Sequence, residues 1–327
     1  MWQEDYSADS MRLSEYYRLA VEVAMEADPR KGEELKSILL QTIRAYDALD
    51  AAGRDMFDVD SLWNPYADSR ILSGDGDTEV STAMWGIDIS SAEVLLADRL
   101  REKGKKIDAI ISHHPHGRAH ASLYKVMPVQ ESMMRSWGVP VTIAEDILGP
   151  RMHEVMCALH SQNHAQTVDA CRLLDMPYMC LHQPCDLLGQ QFMQRLVDEK
   201  EPERLGDLLD LLATLPEYQH ATRECNPPAI FVGGRDRKAG SIAVKFAGGT
   251  AAPKEMYEQL SRSGIGTVMC MHAPESHREE ARKHHINLVV ASHMASDSLG
   301  TNLLADRFEE RGLEIIPCSG YVRVRHQ

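Results

Sequence analysis

"IDAIISHHPHGRAH", residues 107–120, decides how the chain is read. A short apolar run, Ile107 to Ile111, ends in Ser112 and two adjacent histidines, His113 and His114, with Pro115 directly behind them. Such a run, bounded by turn residues, reads as a strand buried on both faces, as in a parallel sheet. Neighbours on a regular strand point to opposite faces. Both histidines can therefore serve one site only where the strand has ended, and Pro115 supplies that end. Taken alone, a His-His pair after a strand is more often a polar loop than a pair of ligands.

Outward from this stretch, the unit recurs. "VLLADRLREKGKKIDAIISHHP" has a counterpart near the other terminus, "REEARKHHINLVVASHMASD". Each passes from a charged helix through a polar joint into an apolar strand. Both strands close with Ser-His, as Ser112-His113 and Ser292-His293. A third unit, "VDACRLLDMPYMCLHQPCD", closes with Leu181-His182. This reads as a diverged internal repeat. Ligands of open α/β sheets gather beyond the carboxyl ends of strands, so the three histidine-bearing ends are expected to converge on one crevice. Asp186 follows His182 by four residues, and Asp297 follows His293 by four. Imidazole with carboxylate is the ligand set of zinc, iron or manganese, and the doubled His113-His114 favours two ions.

Around these units the periodicity predicts strands at 83–88, 107–112, 139–144, 177–181, 229–233, 241–246, 266–271, 286–291 and 313–325. Helices are expected at 91–103, 128–137, 150–174, 187–215, 253–263, 274–284 and 298–311. Residues 10–50 read as two helices, and 60–78, turn-rich and acidic, as a connector. Strand alternating with helix gives an α/β fold with a largely parallel sheet. The expected organisation is a helical N-terminal extension with its connector at 1–75, a first α/β lobe at 76–205 and a second at 206–327, the two related lobes packed around a metal cleft.

Composition narrows the function. Lys and Arg number 35 against 49 Asp and Glu, a net charge of −14. Such a surface repels phosphate backbones and argues against nucleic acid as partner. The densest basic run, "REKGKK" at 101–106, reads as the solvated end of a helix. Seven scattered cysteines without a CxxC pair, and an acidic start without an apolar core, point to reduced thiols in the cytoplasm. No apolar run nears the ~18 residues of a membrane span, so no membrane partner is expected.

At "ISHHP" (111–115), "HQPCD" (182–186) and "INLVVASHMASD" (286–297) the chain resembles the NGG-interacting-factor-three-like family, which includes the GTP cyclohydrolase I type 2 homologues. The resemblance covers roughly residues 80–327. It implies two divalent transition metal ions held by His113, His114, Asp186, His293 and Asp297. His182 would stand beside them and, with His277, move protons. The resemblance also implies hydrolysis of a nucleotide or related phosphorylated small molecule, and a ring-like homo-oligomer, a hexamer. Three departures stand out. Asp297 replaces the family's glutamate, Ser292 replaces its glycine before the last histidine, and "MCMHAPE" (269–275) replaces its "TG-D/E" segment.

Several features have competing readings. The turn at Gly248, Gly249 and Thr250 could cradle a phosphate before a helix, although an ordinary strand-to-helix loop is the simpler expectation. His153, His160 and His164 form a loose surface stripe, and Cys185 is expected as packing. A metal-binding or regulatory protein without turnover is the alternative to a hydrolase. A metal phosphoesterase of the DHH type is disfavoured, because Ser112 stands where its aspartate belongs.

Overall fold

The computed structural model describes residues 11–30 and 32–326. The acidic start "MWQEDYSADS" lies outside the described residues. Two sheets organise the rest. The lateral order of the first is Glu314–Cys318, Thr82–Gly86, Ala109–Ser112, Tyr178–Leu181, Ser69–Ser73. That of the second is Ala229–Val232, Asn287–Val290, Ile265–Cys270, Ser241–Lys245. In each sheet the strand that comes first in sequence is an antiparallel edge, and the other pairings are parallel. By order of appearance both sheets read one, four, three, two, and the first adds Glu314–Cys318 beyond its second strand. The lobes are thus topologically related, as the repeated helix–strand units predict. The chain is α/β, with two related lobes and helices at the N-terminal end. The last strand crosses back, because Glu314–Cys318 pairs in parallel with Thr82–Gly86 of the first sheet.

The central strands of the first sheet are buried along their whole length. This is why they are apolar without alternation, for helices cover both faces of a parallel sheet. Ser91–Glu102 begins at a capping box, in which the Ser90 hydroxyl accepts from the Ala92 N–H and Glu93 accepts from the Ser90 N–H.

Three expectations give way. The β-branched run at 139–144 is not a strand. Val141–His160 is one helix running through Pro150, and it buries Ala144, Leu148, Val155 and Leu159 at helical spacing. The helix expected at 150–174 is therefore two, with the second at Gln166–Leu173. The connector at 60–78 contains the edge strand Ser69–Ser73. Its charged Arg70 disguises it. The guanidinium is buried, pairs with Asp58 at 2.7 Å and donates to the Ser69 carbonyl at 2.7 Å.

The N-terminal helix Leu13–Ala27 is integral to the first core. It buries Leu13, Tyr16, Tyr17, Ala20, Val21 and Ala24 on one face. Tyr16 packs on Phe308, which packs on Trp85 of the first sheet. The Tyr17 hydroxyl donates to the Ser69 carbonyl at 2.8 Å, and so braces the edge strand from outside. Among the described residues no helix is long and apolar enough to cross a membrane, and the seven cysteines are free thiols.

Candidate metal centre

Each histidine of the cluster sits where a parallel strand stops. His113 and His114 follow Ala109–Ser112, and their N–H groups donate to the carbonyls of Gly86 and Ile87. His182 follows Tyr178–Leu181 and opens the helix His182–Lys200. His293, three residues beyond Asn287–Val290, opens the helix His293–Glu309. On both helices an aspartate one turn on, Asp186 or Asp297, faces the same cleft.

Asp297 is the centre of the group. One carboxylate oxygen lies 3.6 Å from His113 Nε2, and the other lies 3.5 Å from both His114 Nε2 and His293 Nε2. Asp186 stands 3.4 Å from His113 Nε2 and, through its second oxygen, 3.7 Å from His182 Nε2. These separations exceed the ~2.7–3.2 Å of a hydrogen bond. They suit donors around a shared ion, because bonds of ~2.0–2.2 Å set neighbouring ligands about 3–3.5 Å apart. Asp297 is only 1% exposed, yet neither of its oxygens has a hydrogen-bond partner. A buried, unsatisfied carboxylate is expensive, and a cation would satisfy it. Three groups have ligand atoms within 4.8 Å of one another and are able to hold a metal ion: His113, Asp186 and Asp297; His114, His293 and Asp297; and His113, His114 and His182.

Two of the ring nitrogens turned away from the cluster are also engaged, whereas His113 Nδ1 is buried without a partner. His182 Nδ1 meets buried Asp68 at 2.8 Å, and His114 Nδ1 meets Asp88 at 2.6 Å. Carboxylates behind metal-ligating imidazoles fix tautomer and ring orientation. Burial pushes the Asp297 carboxyl up, but His113, His293 and His114 outweigh it and hold it down to about 2. Burial opposes charge on His182, but Asp186 and the Asp68 hydrogen bond outweigh it and raise the imidazole to about 9. Burial keeps Asp186 above the ordinary range, against the pull of His182 and His113.

The six residues at the strand ends therefore come together. A pocket of about 530 Å³, counting its open mouth, extends from them past Gly249, Thr250 and His277. Gly248 is turned away, its N–H donating to Gln183 Oε1 at 3.2 Å. Sequence reasoning missed Asp68, Asp88, Lys245 and His272. Lys245 and His272 line the pocket, and the His272 ring lies 4.7 Å from that of His293. The surface histidines stay apart from the site, with His153 at 3.6 Å from Cys157.

A solved NIF3 superfamily protein from Sphaerobacter thermophilus matches this architecture over 96% of the present chain and 100% of its own, at 29% identity and a TM-score of 0.75. By fold the chain resembles this NIF3 superfamily protein. A Bacillus cereus protein related to NIF3 aligns over 95% of this chain and 97% of its own, at 10% identity and a TM-score of 0.46. Reduced HcgD from Methanocaldococcus jannaschii aligns over 76% and 87%, at 12% identity and a TM-score of 0.49. No family model matches the chain, and no curated protein does. Within the NIF3 fold, this chain combines the two-sheet topology with a buried His/Asp cluster able to hold metal.

Proposed function

We propose that this chain, NIF3-like in fold, is a dinuclear-metal-dependent hydrolase of the cyclohydrolase-like kind, acting on a nucleotide or related phosphorylated small molecule. The observation that carries the reading is the divided environment of Asp297, with one oxygen toward His113 and the other toward His114 and His293. A carboxylate so placed suits a bridge between two ions. His113, Asp186 and Asp297 would hold one, and His114, His293 and Asp297 the other. Zinc, iron or manganese bound there would supply Lewis acidity to a polar substrate atom.

The protein's own groups then bind and move protons. Asp68 holds the Nδ1 proton of His182 and turns Nε2 toward the cleft, so His182 can deliver a proton at Nε2 to a departing group. His277 lines the far wall of the pocket and is held down to about 4 by burial, with Arg151 and Lys245 acting in the same sense. It is therefore neutral at pH 7 and available as an acceptor. Ser112, where a DHH-type site has an aspartate, instead bonds with the Tyr178 hydroxyl at 2.8 Å. The likeness further implies a homo-oligomer, which sedimentation of the purified protein would size, and the scattered free thiols suit the cytoplasm.

Elemental analysis and a nucleotide screen of zinc-, iron- and manganese-incubated protein test the reading. Two ions per chain and turnover that disappears in His182→Ala are expected. A folded chain that takes up no metal would overturn it, and two ions without turnover would leave the non-catalytic metal-binding alternative.

A further inference from the structure

Lys245 ends the edge strand Ser241–Lys245 of the second sheet and points into the pocket beside the cluster. It is only 7% exposed. Among the described residues, the one hydrogen bond of its ammonium runs to the Thr250 carbonyl at 2.7 Å. Among the described residues it has no ion pair within 4 Å, whereas buried Arg30 and Arg70 each have a carboxylate at 2.7 Å. A buried ammonium without a counter-charge is unfavourable. A chain of net charge −14 has carboxylates in plenty, yet the carboxylate that acts on this cation, Asp186, does so from beyond ion-pair distance.

The surroundings point the same way. His272 and His277 share the pocket wall with Lys245. An adjoining cavity that also reaches His277 is of mixed charge, with Arg151 paired to Glu154 at 2.6 Å and Lys254 beside Glu255 and Asp146. The pocket is therefore two-ended, with donors for cations at Asp186 and Asp297 and the Lys245 ammonium on its wall.

We infer that Lys245 is the anchor of an oxyanion subsite, which seats a phosphoryl or carboxylate group of the substrate while the substrate's reacting end lies at the His/Asp cluster. This deepens the hydrolase reading and rests on it for the second half of that statement. The Lys245 ammonium donates to the anion, and the His272 ring shares the same pocket wall.

The test is calorimetric titration of inorganic pyrophosphate, orthophosphate and malonate into wild type, Lys245→Met and Lys245→Gln, with metal content measured on each sample. Wild type is expected to bind at least one probe, and both variants to bind it at least tenfold more weakly with metal content unchanged. Removal of an unpaired buried charge should also leave the ligand-free Tm of Lys245→Met at or above that of wild type. Preference for the phosphates or for malonate identifies the anionic group. Equal binding by variants and wild type, or no binding of any probe to wild type, overturns the subsite. Should wild type take up no metal, the hydrolase reading fails by itself. The subsite is then read on metal-free protein, where a Lys245-dependent affinity still supports it.

Discussion

Gly189 and Gly300 meet where the helices His182–Lys200 and His293–Glu309 cross. A Cβ on Gly300 would stand 2.2 Å from the Cys185 carbonyl oxygen, and one on Gly189 would stand 3.3 Å from Gly300 Cα. Each glycine lies seven residues after the histidine that opens its helix and three after the aspartate. The close approach sets how far apart Asp186 and Asp297 stand, and thus the span of the cluster.

Gly300→Ala is expected to separate these helices. Overpacking typically costs about 1–3 kcal/mol, and a clash with backbone cannot be relieved by a rotamer change. Thermal unfolding should show a clear drop in Tm, together with weaker metal uptake. Gly189→Ala, whose Cβ needs only a few tenths of an ångström, should do less. Equal effects of the two would show that the crossing does not set the cluster.

Ser292 holds φ 78°, just before His293, in a region where L-residues are strained and glycine is not. Its hydroxyl is buried without a hydrogen-bond partner. Ser292→Gly should therefore stabilise the chain, by about 1 kcal/mol, with His293 left in place. A chemical-denaturation midpoint at or below that of wild type would contradict this.

Metal stoichiometry should separate the cluster into halves. Asp297→Ala removes the carboxylate that faces both sides and should abolish uptake of two ions, whereas Asp186→Ala should spare the ion at His114 and His293. Asp88→Ala removes the group that holds His114 Nδ1. Loss of such support lowers metal affinity by about 10–100-fold. Competition with a coloured chelator would read all three. Identical losses in Asp186→Ala and Asp297→Ala would argue for a single shared ion.

His113, His114, His182 and His293 were legible because strand ends carry ligands and the chain writes that unit three times. His272 was legible in principle as well. It stands two residues after the third strand of the second sheet, just as His114 stands two residues after the third strand of the first. The match appears only once strands are aligned by topology, since "MCMHAPE" looks unlike "ISHHPHG". The longer repeat, "HQPCDLLG" with "HMASDSLG", carries the glycine of the helix crossing along with histidine and aspartate. Asp68 had no local signal. It reaches His182 across 114 residues of sequence, from the turn just before an edge strand whose charges mimic a connector. The helix Val141–His160 was misread because β-branched residues at its start say strand, while its buried face shows only over several turns.

Acid should destabilise the fold through histidines kept neutral by burial. Burial holds His120 down to about 4, with His164 and His116 acting in the same sense. His277 is held near the same value by burial, Arg151 and Lys245. Their unfolded value is 6.5. Between pH 6.5 and 4 the unfolded chain binds protons that the native chain refuses, so stability falls with pH through that window and levels off below it. His182, raised to about 9, has the opposite signature. It is charged in both states below pH 6.5, and its stabilising share is lost only as pH rises through 6.5 to 9. His120→Gln and His277→Gln should therefore flatten the fall in Tm between pH 6.5 and 4 without changing its course above pH 7. Curves parallel to wild type in the acid window would mean that these two histidines titrate freely in the native chain.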